Sequence, residues 1–278
     1  MAHQILHITV NYKNNEQSQN FLRSLMSLSG SDQVLFCLVN NSASSAQDQS
    51  FSEFEKDPRF RLINASENLG YFGAAQAAYL RYKPEFSNWC LVSNTDMGIT
   101  DTQFYNKILN YRANQNLGVL APAIISEITK KDSNPFMFQR PQSQRMHFYA
   151  LIFSNYFSCQ IYQALAYFKD QVKGLIKSEV KQKSEMKIYA AQGAFFIFNK
   201  RFFEKGEDLS HPCFLYGEEI MVAEKCLRQN LEIRYAPSIQ VIHQEHGSIG
   251  LKDFFLSRNI FSYRRDSSRK IYDQFFKK

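Results

Sequence analysis

Two features of this sequence predict an α/β fold built on a largely parallel, doubly wound sheet. Short apolar runs recur along the amino-terminal third, with helix-patterned segments between them. Each run also stops abruptly in small polar residues. Val10 gives way to Asn11-Tyr12, Val39 to Asn40-Asn41-Ser42, and Val92 to Ser93-Asn94-Thr95-Asp96. Sheets of this class bring such residues to the carboxyl ends of their strands, where ligands bind. A chain of 278 residues is long enough for one large α/β domain with a C-terminal appendage.

In chain order, residues 5–10 read as the first strand, 18–28 as an amphipathic helix and 34–39 as the second strand. Another helix is expected before the short strand 60–63, and the Ala-rich residues 74–82 form the next helix. Residues 89–92 are the strand that runs into Ser-Asn-Thr-Asp. Residues 126–145 are polar, contain Pro135 and Pro141, and read as a loop over the site. Residues 146–168 then run 23 positions without Asp, Glu, Lys or Arg. A membrane span needs about 20 mainly apolar residues. Ser154, Asn155, Ser158, Gln160 and Gln163 interrupt this run, so it reads as an amphipathic helix lying on a membrane or against the sheet.

Residues 169–187 are charged and expected to be a mobile helix or loop. Residues 188–199 have a strand pattern with Gly193-Ala194 inside it, where a glycine permits close approach of a ligand or backbone. A helix over 214–229 carries Glu218-Glu219 in its opening part, and two short strands follow at 233–235 and 239–243. The tail from residue 251 carries eight Lys or Arg against three Asp, interleaved with Phe and Tyr.

The net charge of +7 selects for anionic partners: a nucleotide, a phosphorylated lipid, a membrane surface or nucleic acid. Five scattered cysteines without a C-x-x-C pair argue against a zinc site or a disulfide framework and fit a reducing cytoplasm. The amino terminus lacks the basic region and apolar core of a signal peptide. Asp96, with Asn94 two residues earlier on the same strand face, has the chemistry to hold a divalent cation against a diphosphate. An Asp- and Asn-containing turn is the simpler reading of the same residues.

Taken in sequence, V-N-Y, V-N-N-S, N-L-G-Y-F-G-A-A, S-N-T-D, Q-G-A-F-F-I-F-N-K, F-L-Y-G-E-E and V-I-H-Q-E-H-G-S resemble the family 2 glycosyltransferases of GT-A fold. The chain is most similar to their bacterial rhamnosyltransferase-like branch, which builds surface polysaccharides such as capsule and lipopolysaccharide O-antigen. The resemblance runs from residue 5 to about 260. It implies a Rossmann-like mixed sheet flanked by helices over residues 1–250, divided into a nucleotide-sugar half (1–122) and an acceptor half (123–250). Residues 251–278 would follow as a basic aromatic helix.

The resemblance also implies roles. Asn94-Thr95-Asp96 matches the DXD-type position, where Asp96 would bind Mg²⁺ or Mn²⁺ and steady the departing diphosphate. His243 would be the second metal ligand, with His246 as its competitor. Glu219 would take the acceptor proton and Glu218 would orient it or the acceptor; Glu stands where the family usually has Asp, which leaves the assignment between the two open, and two acidic residues at a helix start are also favoured by the helix dipole alone. Val10, Asn11, Tyr12 and Asn40 would line the nucleobase pocket. Asn68, Gly70 and Gly73 would bring backbone to the ribose or diphosphate, and Gly193 and Ala194 would leave room for the donor sugar or acceptor. The implied partners are a nucleotide-sugar donor, a lipid-diphosphate-linked saccharide acceptor and the inner face of the plasma membrane, without nucleic acid. The basic tail would supply the peripheral membrane contact.

Other nucleotide enzymes fit less well. A methyltransferase or dehydrogenase needs a glycine-rich turn after the first strand, and Asn11-Tyr12-Lys13 stands there instead. A sugar nucleotidyltransferase needs an early glycine-rich loop and its lysine, which are also missing. A non-catalytic nucleotide- or nucleic-acid-binding module on a degenerate transferase fold is the alternative from another class.

Overall fold

The computed structural model describes residues 3–42, 49–175, 184–244 and 257–277. Within them, nine strands form one sheet: β1 (His3–Asn11), β2 (Val34–Asn40), β3 (Phe60–Asn64), β4 (Phe86–Asn94), β5 (Met97–Gly98), β6 (Leu117–Ser126), β7 (Met186–Ile188), β8 (Phe195–Asn199) and β9 (Glu232–His243). The helices are α1 (Asn15–Met26), α2 (Tyr71–Tyr82), α3 (Phe104–Leu109), α4 (Ser143–Ile152), α5 (Tyr156–Leu175), α6 (Lys200–Glu204), α7 (Glu218–Arg228) and α8 (Arg258–Ile271).

The sheet is buried on both faces, which is why its strands read as continuous apolar runs. Along β1, Ile5 faces one core with Phe21, Leu22 and Leu25 of α1. Leu6, Ile8 and Val10 face the other core with Ala74, Ala75 and Ala78 of α2. β2 alternates in the same way: Val34, Phe36 and Leu38 on the α1 side, Leu35, Cys37 and Val39 on the α2 side. The small alanines let α2 lie close against the strands.

Strand order is β3-β2-β1-β4-β8-β6-β9-β5, with β7 also on β9. β3, β2, β1 and β4 run parallel, as the alternating pattern predicted. Beyond β4 the parallel pattern gives way to mixed pairing. β8 is antiparallel to both β4 and β6, and β5 and β7 are antiparallel to β9. The sheet is therefore mixed, as the GT-A resemblance implied.

Several boundaries differ from expectation. Between β2 and β3 the described residues hold one 3₁₀ turn, Phe54–Lys56, in place of a helix. Residues 188–199 are not one strand: β7 and β8 flank a connection that contains Gly193 and Ala194. Conversely, 233–243 form one strand, with a register shift opposite Pro122 and Ala123 that takes up Pro237. The expected division near Pro122 falls inside β6, so the two halves share a strand. Residues 146–168 are split between α4 and α5, and no described helix is long and apolar enough to cross a membrane.

The tail is also more integrated than expected. Ser257 caps α8 by accepting from the Ile260 amide, and Ile271 and Phe276 are buried in the same core as Met221 and Val222 of α7. Residues 251–256 of the tail lie outside the described part, as does His246.

Candidate active site

The antiparallel pairing of β4 with β8 decides what meets at the carboxyl end of β4. Ser93 pairs with Phe195, and the Asn94 amide donates to the Ala194 carbonyl at 3.1 Å. The connection before β8 therefore lies beside the Ser-Asn-Thr-Asp turn. One residue earlier, the Gly193 amide donates to Glu219 Oε1 at 3.3 Å. A Cβ at Gly193 would stand 2.7 Å from that oxygen, so the space left by the missing side chain is taken by the Glu219 carboxylate. Asp96 and Glu219 thus belong to one cluster, joined through Asn94, Ala194 and Gly193.

Tyr71, at the start of α2, completes it. Its hydroxyl lies 3.4 Å from the Ala194 carbonyl oxygen. Burial pushes its pKa well above the usual phenol value, and the negative charges of Glu218, Asp96 and Glu219 add to the shift. The phenol is therefore within electrostatic reach of all three carboxylates. Sequence reasoning quoted Tyr71 within N-L-G-Y-F-G without assigning it a role; its place directly after the Gly70 turn was the only available signal.

Asp96 meets His243 because β5 pairs with the end of β9, setting Met97 opposite His243. His243 Nε2 is 3.1 Å from Asp96 Oδ2, and the Gln244 amide donates to the Asp96 carbonyl at 2.8 Å. Asp96 Oδ1 is buried and has no hydrogen-bond partner. An unmatched carboxylate oxygen is costly unless a ligand completes it. A carboxylate and an imidazole nitrogen at this spacing fit Mg²⁺ or Mn²⁺, which take few protein ligands when diphosphate oxygens and water supply the rest. Among the described residues no cluster of three or more His, Cys, Asp or Glu side chains could hold a metal.

The two glutamates are delivered by a strained turn. Tyr216 at φ 70° and Gly217 at φ 90° are both left-handed and swing the chain into α7. A Cβ at Gly217 would come within 2.6 Å of Ser267 Oγ and 2.7 Å of Ile271 Cδ1, so glycine is needed on steric grounds as well. Ser267 donates to the Tyr216 carbonyl at 2.6 Å, fastening the turn to α8. Glu218 is 7% exposed and accepts from the Tyr216 amide at 3.1 Å. Burial first, and then the charge of Glu219, raises the Glu218 pKa to about 7. Glu219 is raised as well, by burial. Unlike Glu218, it lines a cavity of about 380 Å³ with Phe136, Tyr149, Phe153, Tyr216 and Arg264.

The strand ends on the nucleotide side are locked to one another. Asn11, Asn40 and Asn64 stand in register across β1, β2 and β3. Asn11 Nδ2 donates to Asn40 Oδ1 at 3.1 Å, and Asn40 Nδ2 to Asn64 Oδ1 at 3.3 Å. Asn11 and Asn40 are fully buried, as Val10 nearly is, whereas Tyr12 is 51% exposed. Asn41, to which the sequence reading gave no role, holds the next loop: it donates to Asn68 Oδ1 at 2.9 Å and accepts from the Leu69 amide at 2.8 Å. Gly70, at φ 72°, passes so close to residue 214 that a Cβ would sit 2.0 Å from the Phe214 carbonyl oxygen. Its close approach is to the protein's own backbone. Gly73 lies in α2, where a Cβ would make only ordinary contact with Leu69.

A larger cavity of about 680 Å³ lies between α1 and the β5–β9 edge, lined by Gln17, Phe21, Thr100, Glu127 and Gln244. None of the three carboxylates borders it, so the chemistry points to the smaller one.

No protein-family model matches the chain, and no curated protein matches it in sequence. Solved structures do match in shape. A mannosyltransferase from Pyrobaculum calidifontis, in complex with GDP-Man and Mn²⁺, superposes with a TM-score of 0.55 at 12% identity, over 89% of this chain and 59% of the other. GalNAc-T7, solved with UDP, GalNAc and Mn²⁺, gives 0.57 at 12% identity, over 87% and 44%. The chain therefore spans about half the length of the proteins it resembles. Both are glycosyltransferases, and the mixed sheet flanked by helices is the one they share: the chain has the GT-A fold.

Proposed function

We propose that the chain is an inverting glycosyltransferase that moves a sugar from a nucleoside-diphosphate donor to an acceptor hydroxyl. The observation that carries this reading is the joining of the unmatched Asp96 carboxylate, with His243, to the Glu218–Glu219 pair through the Ala194–Gly193 backbone. Transfer requires a leaving diphosphate and an acceptor base at one place, and this cluster holds the groups for both.

Asp96 and His243 would hold Mg²⁺ or Mn²⁺, which when bound neutralises charge growing on the diphosphate. Glu219 is the base. It borders the 380 Å³ cavity, and its raised pKa makes it a better proton acceptor than an exposed glutamate while leaving it ionised once the pH exceeds that value. The acceptor oxygen attacks the anomeric carbon as its proton passes to Glu219, and the bond from that carbon to the diphosphate oxygen breaks. Glu218, buried beside it and under the charge of Glu219, is the member of the pair that keeps a proton up to about pH 7, and it accepts from the Tyr216 amide to hold the turn. The Gly193 amide fixes the direction of Glu219 Oε1. The donor base lies over the asparagine-locked strand ends, with the exposed Tyr12 ring as its stacking surface.

The proposed acceptor is a lipid-diphosphate-linked saccharide in bacterial surface-polysaccharide assembly, met at the cytoplasmic face of the inner membrane. Rhamnosyl transfer rests on the sequence resemblance alone. Titrating GDP and UDP with and without Mn²⁺ tests the reading: tighter binding with Mn²⁺, abolished in Asp96→Ala, supports it. Glu219→Gln should keep that binding and lose turnover. Nucleotide binding indifferent to Mn²⁺, or salt-sensitive binding of oligonucleotides in its place, would overturn it.

A further inference from the structure

We propose that the exposed aromatic face of α4 and α5 is the surface by which this protein docks on an anionic membrane. The inference builds on the reading that the enzyme works at a membrane, and centres the contact on α4 and α5, with the basic tail supplying only arginines at its edge.

The tail is committed to the protein itself. Ile271 and Phe276 are buried, Tyr263 packs on Phe214 with ring centres 4.9 Å apart, and Lys270 Nζ donates to the Pro212 carbonyl at 2.7 Å. α4 and α5 are the opposite case. Phe157, Ile161 and Leu165 recur every fourth residue, forming one stripe of α5, and Phe157 and Leu165 are 73% and 64% exposed. On α4, Phe148 and Leu151 are each 57% exposed. The opposite sides of the same helices are anchored, with Met146 and Cys159 buried. Large apolar side chains left in water on two consecutive helices mark an interaction surface.

Charge selects the partner. From Ser143 to Phe168 the only charged residue is Arg145, and there is no acid. α8 packs against both helices, with Tyr156 and Phe261 ring centres 5.2 Å apart, and contributes Arg264 and Arg265 at this edge against Asp266. A second copy docked symmetrically on this face would bring the same arginines together with too few carboxylates to offset them. A bilayer rich in anionic lipid fits both the aromatic stripe and the arginines. α4, through Met146 and Tyr149, and its C-cap Phe153 also form a wall of the Glu219 cavity, so docking here sets the cavity at the membrane surface.

The test is co-sedimentation of the full chain with vesicles of phosphatidylcholine alone and of phosphatidylcholine mixed with phosphatidylglycerol. Expected is binding to the mixed vesicles that falls by about ten-fold or more in Phe157→Gln/Leu165→Gln, whose side chains are already in water and whose melting temperature should be unchanged. Arg145→Gln should weaken binding by a smaller factor, of the order of five-fold. Wild-type protein that ignores mixed vesicles overturns the proposal, as does a double variant that binds like wild type. A concentration-dependent dimer that Phe157→Gln/Leu165→Gln abolishes, without vesicle binding, assigns the face to a second copy and overturns it as well. Mn²⁺-dependent binding of GDP or UDP in solution is measured in parallel. If it persists while vesicle binding fails, only the docking surface falls; if it fails while vesicle binding persists, the transferase reading falls.

Discussion

Gly193→Ala is the substitution that most directly probes the joining of Glu219 to the strand ends. The new methyl would sit 2.7 Å from Glu219 Oε1, whereas ordinary contact begins near 3.4 Å, so the oxygen must retreat by about 0.7 Å (3.4 minus 2.7). The obstructing atom is the end of a flexible side chain and not backbone, so the fold can yield at little cost. The change in stability is expected to stay within about 1 kcal/mol, partly offset by the smaller conformational freedom of alanine in the unfolded chain. The Glu219 carboxylate, however, is displaced and loses its 3.3 Å bond from the Gly193 amide. Displacements approaching 1 Å in a catalytic group cost up to about a hundred-fold in rate. We therefore expect kcat to fall by about 10- to 100-fold, or about 1.4–2.7 kcal/mol of transition-state stabilisation. Steady-state kinetics should be run alongside calorimetric titration of GDP or UDP with Mn²⁺, whose affinity should stay within about two-fold because Asp96 and His243 are untouched. Turnover within about two-fold of wild type would refute the assignment of Glu219, and so would a stability loss above about 2 kcal/mol, which would mean that the carboxylate cannot move.

Three further outcomes are expected. Asp96→Ala should remove the thermal stabilisation that Mn²⁺ with GDP or UDP gives the wild type, about 2.7 kcal/mol at a hundred times Kd, while His243→Gln weakens it by about ten-fold in Kd; equal stabilisation of Asp96→Ala and wild type would exclude this residue from the metal site. Because its pKa is raised from 4.5 to about 7, folded Glu218 keeps a proton that the unfolded chain has lost between those values, so stability falls as pH rises through that window. Glu218→Gln, which keeps the acceptor for the Tyr216 amide, should then be more stable than wild type at pH 8, by on the order of 1–3 kcal/mol, and nearly equal to it at pH 4; denaturant titrations at the two pH values measure this. Ser267→Ala removes the 2.6 Å bond to the Tyr216 carbonyl and should lower stability by about 1 kcal/mol and kcat by several-fold, with Ser267→Thr restoring both; an unchanged kcat would leave α8 without a hand in placing the glutamates.

What the sequence made legible was the part of the fold with local signals. The β1, β2 and β4 runs end where the polar residues said they would, because a strand buried on both faces must stop when its chain turns polar. The opening of α7 at Glu218 and the place of Asp96 at a strand end were visible for the same reason. Strand direction was not. Whether β8 pairs parallel or antiparallel with β4 depends on a crossover of about a hundred residues, and no residue in Phe195–Asn199 encodes it. The roles of Asn11 and Asn40 were equally hidden: an asparagine at a strand end looks available to a ligand until its register partner is also seen to be an asparagine. Gly70 was read as bringing backbone to a ribose or diphosphate and Gly193 as leaving room for a sugar, but Phe214 stands against the first and the Glu219 carboxylate against the second.

That reversal of direction at β4 is also what makes the cluster possible. In a parallel pair the segment leading into β8 would lie beside Trp89, five residues or about 17 Å from Asn94. Running β8 backwards brings its leading residues, Gly193 and Ala194, to the carboxyl end instead, so the Ala194 carbonyl takes the Asn94 amide and the Gly193 amide takes Glu219. The same logic acts at the far edge. β9 is parallel to β6, and its last residue reaches Asp96 because β5, only two residues long, folds back antiparallel onto it. Two local reversals in an otherwise Rossmann-like sheet thus deliver Glu219 from one side and His243 from the other to one aspartate-bearing turn. A change that lengthens the turn between β4 and β5, such as one residue inserted after Asp96, would flip Met97 out of register with His243 and separate Asp96 from His243 while leaving Glu219 in place. Loss of Mn²⁺-dependent nucleotide affinity with an unchanged melting profile for the Glu218–Glu219 turn would be its signature.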